Sequence, residues 1–305
     1  MKLYGVLLLA AMGAPAMAAT SNADMYGNLN MALMAHNHAG LGTEVVSADS
    51  YLGVKGTEAL GHGLNVLWQV EYGVDPVASP GGQDLVSRDT FLAINSPAYG
   101  TLAVGNLENG LAKAYHRFDA FYHSPVNLDK TGAVSGSVLD NRDNGGLSYT
   151  SPVVSGVQVA VNAGYAATGR SVTDAVSTTV SYRNGALDVA AAVARDRGMN
   201  DSTTYVGTVG YGLGDVHAGL MYEHSKGIQG NGNSLHANVS YTLGALELKA
   251  QHGVSDVTAQ EKTVTTLGAD YTLSKRTLAY TAFNRVETAG AGHVSNYGVG
   301  LRHVF

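Results

Sequence analysis

Eleven histidines give this chain its clearest capacity for chemistry, because a neutral imidazole is a common metal ligand. His36 and His38 stand two positions apart in a polar stretch. Two imidazoles at this spacing bind a metal only if other ligands arrive from elsewhere in the fold, and the sequence offers no such set. We therefore interpret them as polar loop residues, and we predict neither a metal nor any other cofactor.

The segment from Asp140 to Gly145 resembles a calcium-binding loop only in part. Arg142 stands at a ligand position, and no glutamate follows at the spacing that such a loop requires. The chain also lacks the G-x-S-x-G nucleophile elbow, a complete G-x-G-x-x-G and a phosphate-binding P-loop. We therefore predict that the protein is not an enzyme. Catalysis by Ser, His and Asp residues on neighbouring strands stays open as the least supported alternative.

Apolar residues at every second position predict β-strands as the elements that carry these side chains. From Leu235 to Leu243 the odd positions are apolar and share one face, while His236, Asn238 and Ser240 lie on the other. Residues 157–165 and 267–273 repeat the pattern. Each run is about ten residues long, which is the length that a tilted barrel strand needs to cross a bilayer.

A tyrosine stands shortly before a turn at regular intervals in the second half of the chain. Tight turns such as Asn184-Gly185 alternate there with longer polar connections such as Ser225–Asn233. This alternation, with aromatic residues at the membrane interface, is typical of outer-membrane barrels. A secreted β-sandwich is the alternative, but it does not account for the regular placement of tyrosine. The tyrosines concerned are Tyr149, Tyr182, Tyr211, Tyr241 and Tyr271.

The amino terminus has the three parts of a secretory signal peptide. Lys2 is followed by an apolar run from Leu3 to Ala14 and by the small-residue pattern that ends at Ala18. We predict cleavage after Ala18, with Ala19 as the second choice, so that residues 1–18 are the signal peptide and residues 19–305 the barrel domain. The longest later apolar run, Val189–Ala194, is far too short for a membrane helix.

Charge and cysteine content narrow the classes of protein further. The net charge is −6, and the chain has no basic patch, so we expect no nucleic-acid partner. There is no cysteine and hence no disulfide framework. Low overall charge together with 39 glycines and 17 tyrosines suits a sheet with one apolar and one polar face.

Counting the alternating runs gives sixteen strands, an even number that also leaves an aqueous lumen in a closed barrel. One connection, Glu108–Asn141, is far longer than the others, and a long loop in a compact fold is more often functional than idle. We predict an all-β, 16-stranded antiparallel transmembrane barrel. Its strands cover approximately 24–35, 47–57, 64–73, 85–95, 101–107, 143–151, 157–166, 175–183, 186–196, 202–212, 216–224, 233–243, 245–255, 263–273, 277–287 and 294–305.

The last ten residues alternate strictly and end on an aromatic side chain. Tyr297, Val299, Leu301, His303 and Phe305 fall on one face of the predicted last strand. Chain ends usually fray, whereas the last strand of a closed barrel must pair with the first. We therefore expect a barrel in which Tyr297 and Phe305 are interface aromatics.

In these features the chain resembles the Gram-negative general porins, in particular the trimeric group common in β-proteobacteria. The resemblance runs through nearly the whole sequence after the signal peptide. It rests on many short matches in the same order rather than on one decisive motif. The matching segments are Tyr26-Gly27, Leu52–Gly61, Leu64–Tyr72, Ser87-Arg88, Tyr99–Leu102, Asn141-Arg142, Tyr149–Pro152, Tyr271–Thr277 and Gly300–Phe305.

The resemblance implies an outer-membrane homotrimer, embedded in lipid, that passes ions and small hydrophilic solutes by passive diffusion. It implies that the third extracellular loop, here Glu108–Asn141, folds into the pore. It also implies that the outer-membrane insertion machinery reads the terminal strand, with Tyr297 and Phe305 as the assembly signal. An adhesin or receptor is a weaker alternative, since most extracellular loops are short.

Such pores set acidic loop residues against basic residues of the wall, and the charges sort solutes. Strand parity allows Lys55, Arg88, Arg142 and Glu71 to face the lumen, where a charge stays hydrated. Tyr51, Asn106 and Ser148 stand where the family often has a cation, so we expect weak anion preference or mild cation selectivity. The predicted constriction consists of Lys55, Glu71, Arg88, Glu108, Lys113, Arg117, Asp119, Asp129 and Arg142, with Asp140 and Lys130 also in the loop.

A substrate-specific sugar porin is the second interpretation of the same type. Tyr115, Phe118, Phe121 and Tyr122 in the long connection, with Tyr51 on the wall, could form an aromatic track for sugar rings. Aromatic residues in a loop of this size more often anchor it to the barrel. We therefore favour anchoring over sugar binding.

Overall fold

The computed structural model describes residues 21–37, 42–77, 85–135, 142–165, 171–198, 201–227, 231–258 and 260–305. The predicted signal peptide, His38 and Asp140 lie outside the described residues. Most of the described chain is β-strand, and within it no helix is long and apolar enough to cross a membrane.

Eighteen strand segments form a single sheet in which each neighbouring pair is antiparallel. The segments are β1 (Ser21–His36), β2 (Thr43–Ser47), β3 (Tyr51–Gly61), β4 (Leu64–Val74), β5 (Leu85–Ser87), β6 (Thr90–Ser96), β7 (Gly100–Glu108), β8 (Arg142–Thr150), β9 (Val157–Tyr165), β10 (Ala175–Asn184), β11 (Leu187–Asp196), β12 (Ser202–Leu213), β13 (Val216–Lys226), β14 (Asn231–Leu243), β15 (Leu246–Ser255), β16 (Lys262–Ser274), β17 (Thr277–Thr288) and β18 (Gly292–Val304).

The two faces of the sheet differ in the way that the alternation predicts. On β14 the apolar Leu235 and Val239 are about half exposed, whereas His236 and Asn238 between them are buried. Exposed apolar and buried polar residues reverse the usual distribution of a soluble protein. This arrangement fits a barrel with lipid outside and polar side chains inside. We call the face that carries the buried residues the inner face.

The eighteen segments make up sixteen barrel strands, as predicted, because two of the strands are interrupted. β2 and β3 pair with successive parts of β1, and β5 and β6 pair with successive parts of β4. The predicted second strand at 47–57 was therefore misplaced: the chain leaves the sheet at 48–50 and resumes at Tyr51. The fourth strand is interrupted in the same way at 88–89.

The barrel closes between the first and the last strand. β1 pairs with β18 from Asn28 opposite Val304 to His36 opposite Asn296. Phe305 continues the pairing: its N–H donates to the Gly27 carbonyl oxygen at 3.1 Å, and its own carbonyl accepts from the Gly27 N–H at 3.0 Å. The Phe305 ring occupies the space beside Gly27 that a Cβ atom would fill.

Two short helices lie in the connection between β7 and β8. α1 (Gly110–Phe118) begins at Asn109, whose side chain accepts a hydrogen bond from the Ala112 N–H, and α2 (Leu128–Thr131) begins at Asn127 in the same way with Lys130. Such caps satisfy backbone donors that a helix leaves free at its start. The sequence analysis did not predict these helices.

Deleting Phe305 should lower the yield of folded protein more than it changes conductance. The deletion removes both backbone hydrogen bonds to Gly27 at the seam, and each unpaired backbone group is costly in lipid. The measurement is the folded fraction by heat-dependent gel mobility, followed by single-channel recording of that fraction. The control Phe305→Leu keeps the backbone pairs. An unchanged yield for the deletion would contradict the prediction.

Candidate pore constriction

The long segment (residues 109–135) packs against the inner face of the sheet. Leu111, Tyr115 and Phe118 share an apolar cluster with the alanines of β11, chiefly Ala190 and Ala192. At the start of α1 the backbone passes so close to β10 that a Cβ on Gly110 would overlap the Thr179 hydroxyl. Only glycine allows this approach. The close fit of Gly110 against Thr179 therefore holds the beginning of the long segment against β10.

Asp119 anchors the middle of the long segment. One carboxylate oxygen accepts from the Phe121 N–H at 2.9 Å and from Gln251 Nε2 of β15 at 3.2 Å. The other accepts from the Tyr115 hydroxyl and the Leu128 N–H, both at 3.1 Å. Asp119 is buried, so its charge is used to fix the segment and is not presented to open solvent.

Polar side chains of three strands hold the end of the long segment. The Ser135 N–H donates to Glu223 of β13 at 3.1 Å, and Ser234 of β14 donates to the Ala133 carbonyl oxygen at 3.1 Å. Lys262 of β16 donates to the Gly132 carbonyl oxygen at 3.0 Å. Glu223 is fully buried, and the Ser135 N–H gives its carboxyl group a hydrogen-bond partner there.

Burial of the loop aromatics supports anchoring over a sugar track. Tyr115, Phe118 and Phe121 are all buried. Burial raises the pKa of the Tyr115 phenol well above its ordinary value, and the carboxylates of Asp119 and Asp129 raise it further. The hydroxyl therefore stays protonated, and it also accepts the Asp129 N–H at 2.6 Å. Of the four loop aromatics, only Tyr122 is incompletely buried.

A first charged cluster forms where the interruption at 48–50 and the interruption at 88–89 come close together across β4. Arg88 donates from Nη1 to Asp49 and from Nε to Glu71, both at 2.6 Å. Its guanidinium lies 4.8 Å from the centre of the Tyr51 ring. Glu71 also accepts from the Tyr26 hydroxyl at 2.8 Å. Arg88 and Glu71, both predicted for the site, are thus in direct contact. Asp49 belongs to the same cluster but was not predicted.

A second charged cluster lies where the long segment leaves the wall. Arg142 donates from Nε to Asp89 at 2.9 Å. Glu108 contacts Nδ1 of His116 at 2.5 Å. All four side chains are partly shielded from solvent. Glu108 and Arg142 were predicted, whereas Asp89 and His116 were not.

His123 connects the long segment to the first cluster. Its Nδ1 lies 3.2 Å from Asp49, and its carbonyl oxygen accepts from Asn30 of β1 at 2.5 Å. The Tyr122 ring lies between two imidazoles, with centroids 3.7 Å from His116 and 4.6 Å from His123. The strip His116, Tyr122 and His123 therefore joins the two clusters.

The other predicted site residues lie apart from these clusters or at their edge. Lys55 is exposed on the inner face, with Nζ 4.6 Å from the centre of the Tyr26 ring. Lys113 and Arg117 are exposed on α1, and Arg117 approaches Asp188 at 3.5 Å. Asp129 is partly exposed at the start of α2.

The three positions where the family often has a cation have different surroundings here. Tyr51 and Ser148 are on the inner side, where Tyr51 supports Arg88 and Ser148 is buried beside Asn162. Asn106 lies where the register between β7 and β8 shifts, and it donates to the Arg88 carbonyl oxygen at 2.9 Å.

His36, for which the sequence analysis considered a metal-binding role and did not adopt it, contacts polar side chains. Its ring nitrogens contact Asn296 at 2.7 Å and Glu44 at 3.0 Å. Within the described ranges, no group of three or more His, Cys, Asp or Glu residues is placed to hold a metal ion.

Sequence reasoning missed Asp49 and Asp89 because both stand at interruptions. In an unbroken strand, Arg88 and Asp89 would point to opposite faces, yet here both make contacts inside the barrel. The polar run Ser87-Arg88-Asp89-Thr90 breaks the apolar alternation. That break is the one sequence signal that indicates the interruption.

Comparison with known proteins agrees with this architecture. The profile of the family described as Gram-negative porin matches residues 5–291. The major outer membrane protein P.IB of Neisseria meningitidis is 25% identical, and the alignment covers 87% of this chain and 85% of that protein. Other relatives align over a smaller part of their length. P.IB of Neisseria gonorrhoeae is 24% identical, and the alignment covers 47% of this chain and 51% of that protein, about half of its length.

Solved structures share the fold at low sequence identity. An anion-selective porin from Comamonas acidovorans has a TM-score of 0.78 at 21% identity, covering 93% of this chain and all of that one. The trimer form of OmpT from Vibrio cholerae has a TM-score of 0.73 at 16% identity, with 93% and 99% covered.

Replacing Asp119 by alanine should loosen the long segment without unfolding the barrel. The Tyr115 hydroxyl and the N–H groups of Phe121 and Leu128 lose their acceptor, at a cost of about 3 kcal/mol to the segment. Hydrogen–deuterium exchange should rise within residues 110–131 and stay unchanged in the strands. The exposed Lys130→Ala is the matched control. Equal exchange in Asp119→Ala and the parent protein would refute the anchoring role.

Proposed function

The chain belongs to the Gram-negative porin family, and we propose that it forms a water-filled channel through the bacterial outer membrane. Ions and small hydrophilic solutes diffuse through it passively. Selectivity comes from the pore width and from the charges at the constriction. The protein carries out no catalytic step.

One observation carries the proposal: the barrel is closed, and its inner face is lined by polar residues. Strand β14 shows the pattern, with Ser234, His236, Asn238 and Ser240 buried on that face. A sixteen-stranded barrel is too wide to be filled by its own side chains. Water therefore fills the remaining space.

The proposal includes a lumen narrowed by the long segment. Its contacts with inner-face residues on many strands support this, from Thr179 on β10 to Asn30 on β1. The strip His116, Tyr122 and His123 then borders the opening on one side, and wall residues that include Lys249, Asp270 and Arg302 border it on the other.

We propose further that the protein is exported with residues 1–18 as a cleaved signal peptide and that residues 19–305 assemble in outer-membrane lipid as a homotrimer. The trimer form of the Vibrio cholerae protein supports this assembly for the fold. Tyr297 and Phe305 serve the insertion machinery as the assembly signal. Their side chains alternate with Arg302 and point away from the lumen.

Purified protein in a planar bilayer should form open channels that close in steps grouped in threes. Water-filled barrels conduct without a ligand, and three pores in one trimer close independently. The measurement is single-channel recording in KCl. Folded protein that gives no channels would refute the pore, whereas channels that appear and close singly, and not in groups of three, would refute only the trimer.

The wild-type channel should show weak anion preference or mild cation selectivity. Arg88 and Arg142 are paired with carboxylates, so these two arginines present little unpaired positive charge to the lumen. The measurement is the zero-current potential in a KCl gradient. A potential close to that of a purely anion-selective pore would contradict this expectation.

A further inference from the structure

Three apolar clusters lie on the inner face of the described sheet, and one of them contains no residue of the long segment. The first cluster includes Leu111 and Tyr115 of that segment, and the second includes Phe121. The third cluster lies on β4, β6 and β7. We call it the wall patch, and it consists of Leu67, Phe91, Ala93, Ala103 and Leu107.

The wall patch faces the lumen. On β6 the outward Leu92 and Ile94 are about half exposed, whereas Ala93 between them is buried. Leu67 of β4 is directly opposite Ala93 and so shares the inner face. Leu67 and Phe91 both remain partly exposed. An apolar patch with polar surroundings commonly marks a surface that binds a ligand.

A pair of opposite charges stands beside the wall patch. Asp24 of β1 and Lys55 of β3 are directly opposite each other in the sheet, and both are exposed. Lys55 is opposite Gln69 of β4, and Gln69 is opposite Phe91 of β6. These four residues therefore form one row across neighbouring strands, which runs from a carboxylate through an ammonium group and an amide to an aromatic ring.

The two charges of this row are available to a solute. Among the described residues, neither Asp24 nor Lys55 takes part in an ion pair. Residues directly opposite in a ladder have Cβ atoms about 5 Å apart, so the two charges are close neighbours. The terminal Phe305, held at Gly27 three residues along β1 from Asp24, adds its α-carboxylate on the acidic side of the row.

We infer that the row and the wall patch form a binding subsite for zwitterionic amino acids with an aromatic side chain, of which phenylalanine is the simplest. The ammonium group of the solute pairs with Asp24, and its carboxylate pairs with Lys55. The ring of the solute packs on Phe91 and Leu67. The inference rests on the proposed channel function, because a solute reaches this subsite through the lumen.

The spacing of the strands suits a solute of this size. Neighbouring strands are about 4.8 Å apart, so the backbones of Lys55 and Phe91 are separated by about 10 Å. The lysine side chain extends over part of that distance, and an aromatic amino acid covers the rest. Asp24 lies one strand beyond Lys55. Its carboxylate is thus close to the ammonium group, which is bonded to the same carbon atom as the carboxylate of the solute.

Solutes that lack one of these groups are less complementary to the row. An aromatic carboxylate without an ammonium group leaves Asp24 unpaired beside a like charge, and an aromatic amine without a carboxylate leaves Lys55 in the same position. A sugar pairs with neither charge and places hydroxyl groups against apolar side chains. A zwitterion with a ring matches both the charges and the patch.

The first test compares four solutes on the wild-type channel and needs no variant. Phenylalanine at millimolar concentration should cause transient reductions of the single-channel current that saturate as its concentration rises. Alanine lacks the ring, phenylpropionate lacks the ammonium group and phenethylamine lacks the carboxylate. Alanine should bind about fivefold more weakly, because the ring no longer covers the patch, and the other two should also bind more weakly. Equal effects of all four solutes would overturn the inference.

The second test removes the groups of the wall one at a time. Phe91→Ala should shorten the dwell time of phenylalanine about fivefold, and Phe91→Leu should give an intermediate value. Lys55→Gln and Asp24→Asn should each shorten it as well, because each leaves one charge of the solute unpaired. Leu92→Ala is the matched control, since it shortens an apolar side chain of the same strand on the lipid side. A wild-type dwell time in Phe91→Ala would overturn the inference.

Failure of the subsite is distinguishable from failure of the proposed function. Open channels whose current does not respond to phenylalanine would refute the subsite and leave the channel intact. Folded wild-type protein without conductance would refute the channel itself. Heat-dependent gel mobility shows which variants are folded, and only folded variants enter the comparison of dwell times.

Discussion

Backbone hydrogen bonding in hydrocarbon is the constraint on which this structure depends. Lipid offers no partner for a free N–H or C=O group, so a sheet that crosses the membrane has to close on itself. The pairing of β1 with β18, extended by Phe305 onto Gly27, meets this requirement. Closure also determines which kind of side chain suits each face of the sheet. Apolar residues face lipid, and the wide interior holds polar residues and water.

The long segment packs on a strand, β11, that does not follow this alternation of apolar and polar residues. Val189–Ala194 is apolar at every position, whereas other strands alternate. Its outer residues belong to the lipid-facing surface, and its inner alanines pack against Leu111, Tyr115 and Phe118. Small residues there leave room for a helix, just as Gly268 leaves room for the Phe121 ring. The apolar run that is too short for a membrane helix is thus the surface on which the start of the long segment packs.

The sequence predicted the strands well because their signal is local. Alternation with period two and the turn residues placed most strands within a residue or two, including β14 and β18. The interruptions at 48–50 and 88–89 depend on contacts between distant parts of the chain, so the second strand was misplaced. For the same reason, Arg88 and Glu71 were found as single residues, while their partner Asp49 was not.

The interruptions and the charges of the wall depend on each other. A residue that leaves the regular pleat can turn inward regardless of parity, and this brings Asp49, Arg88 and Asp89 to the same side. In return, the ion pairs hold two irregular pieces of backbone together, with Tyr51 beneath the guanidinium. Partly shielded pairs of this kind are less screened than surface pairs. The same contacts therefore fix the shape of this wall and set its charge, so that a substitution of Arg88 would change both at once.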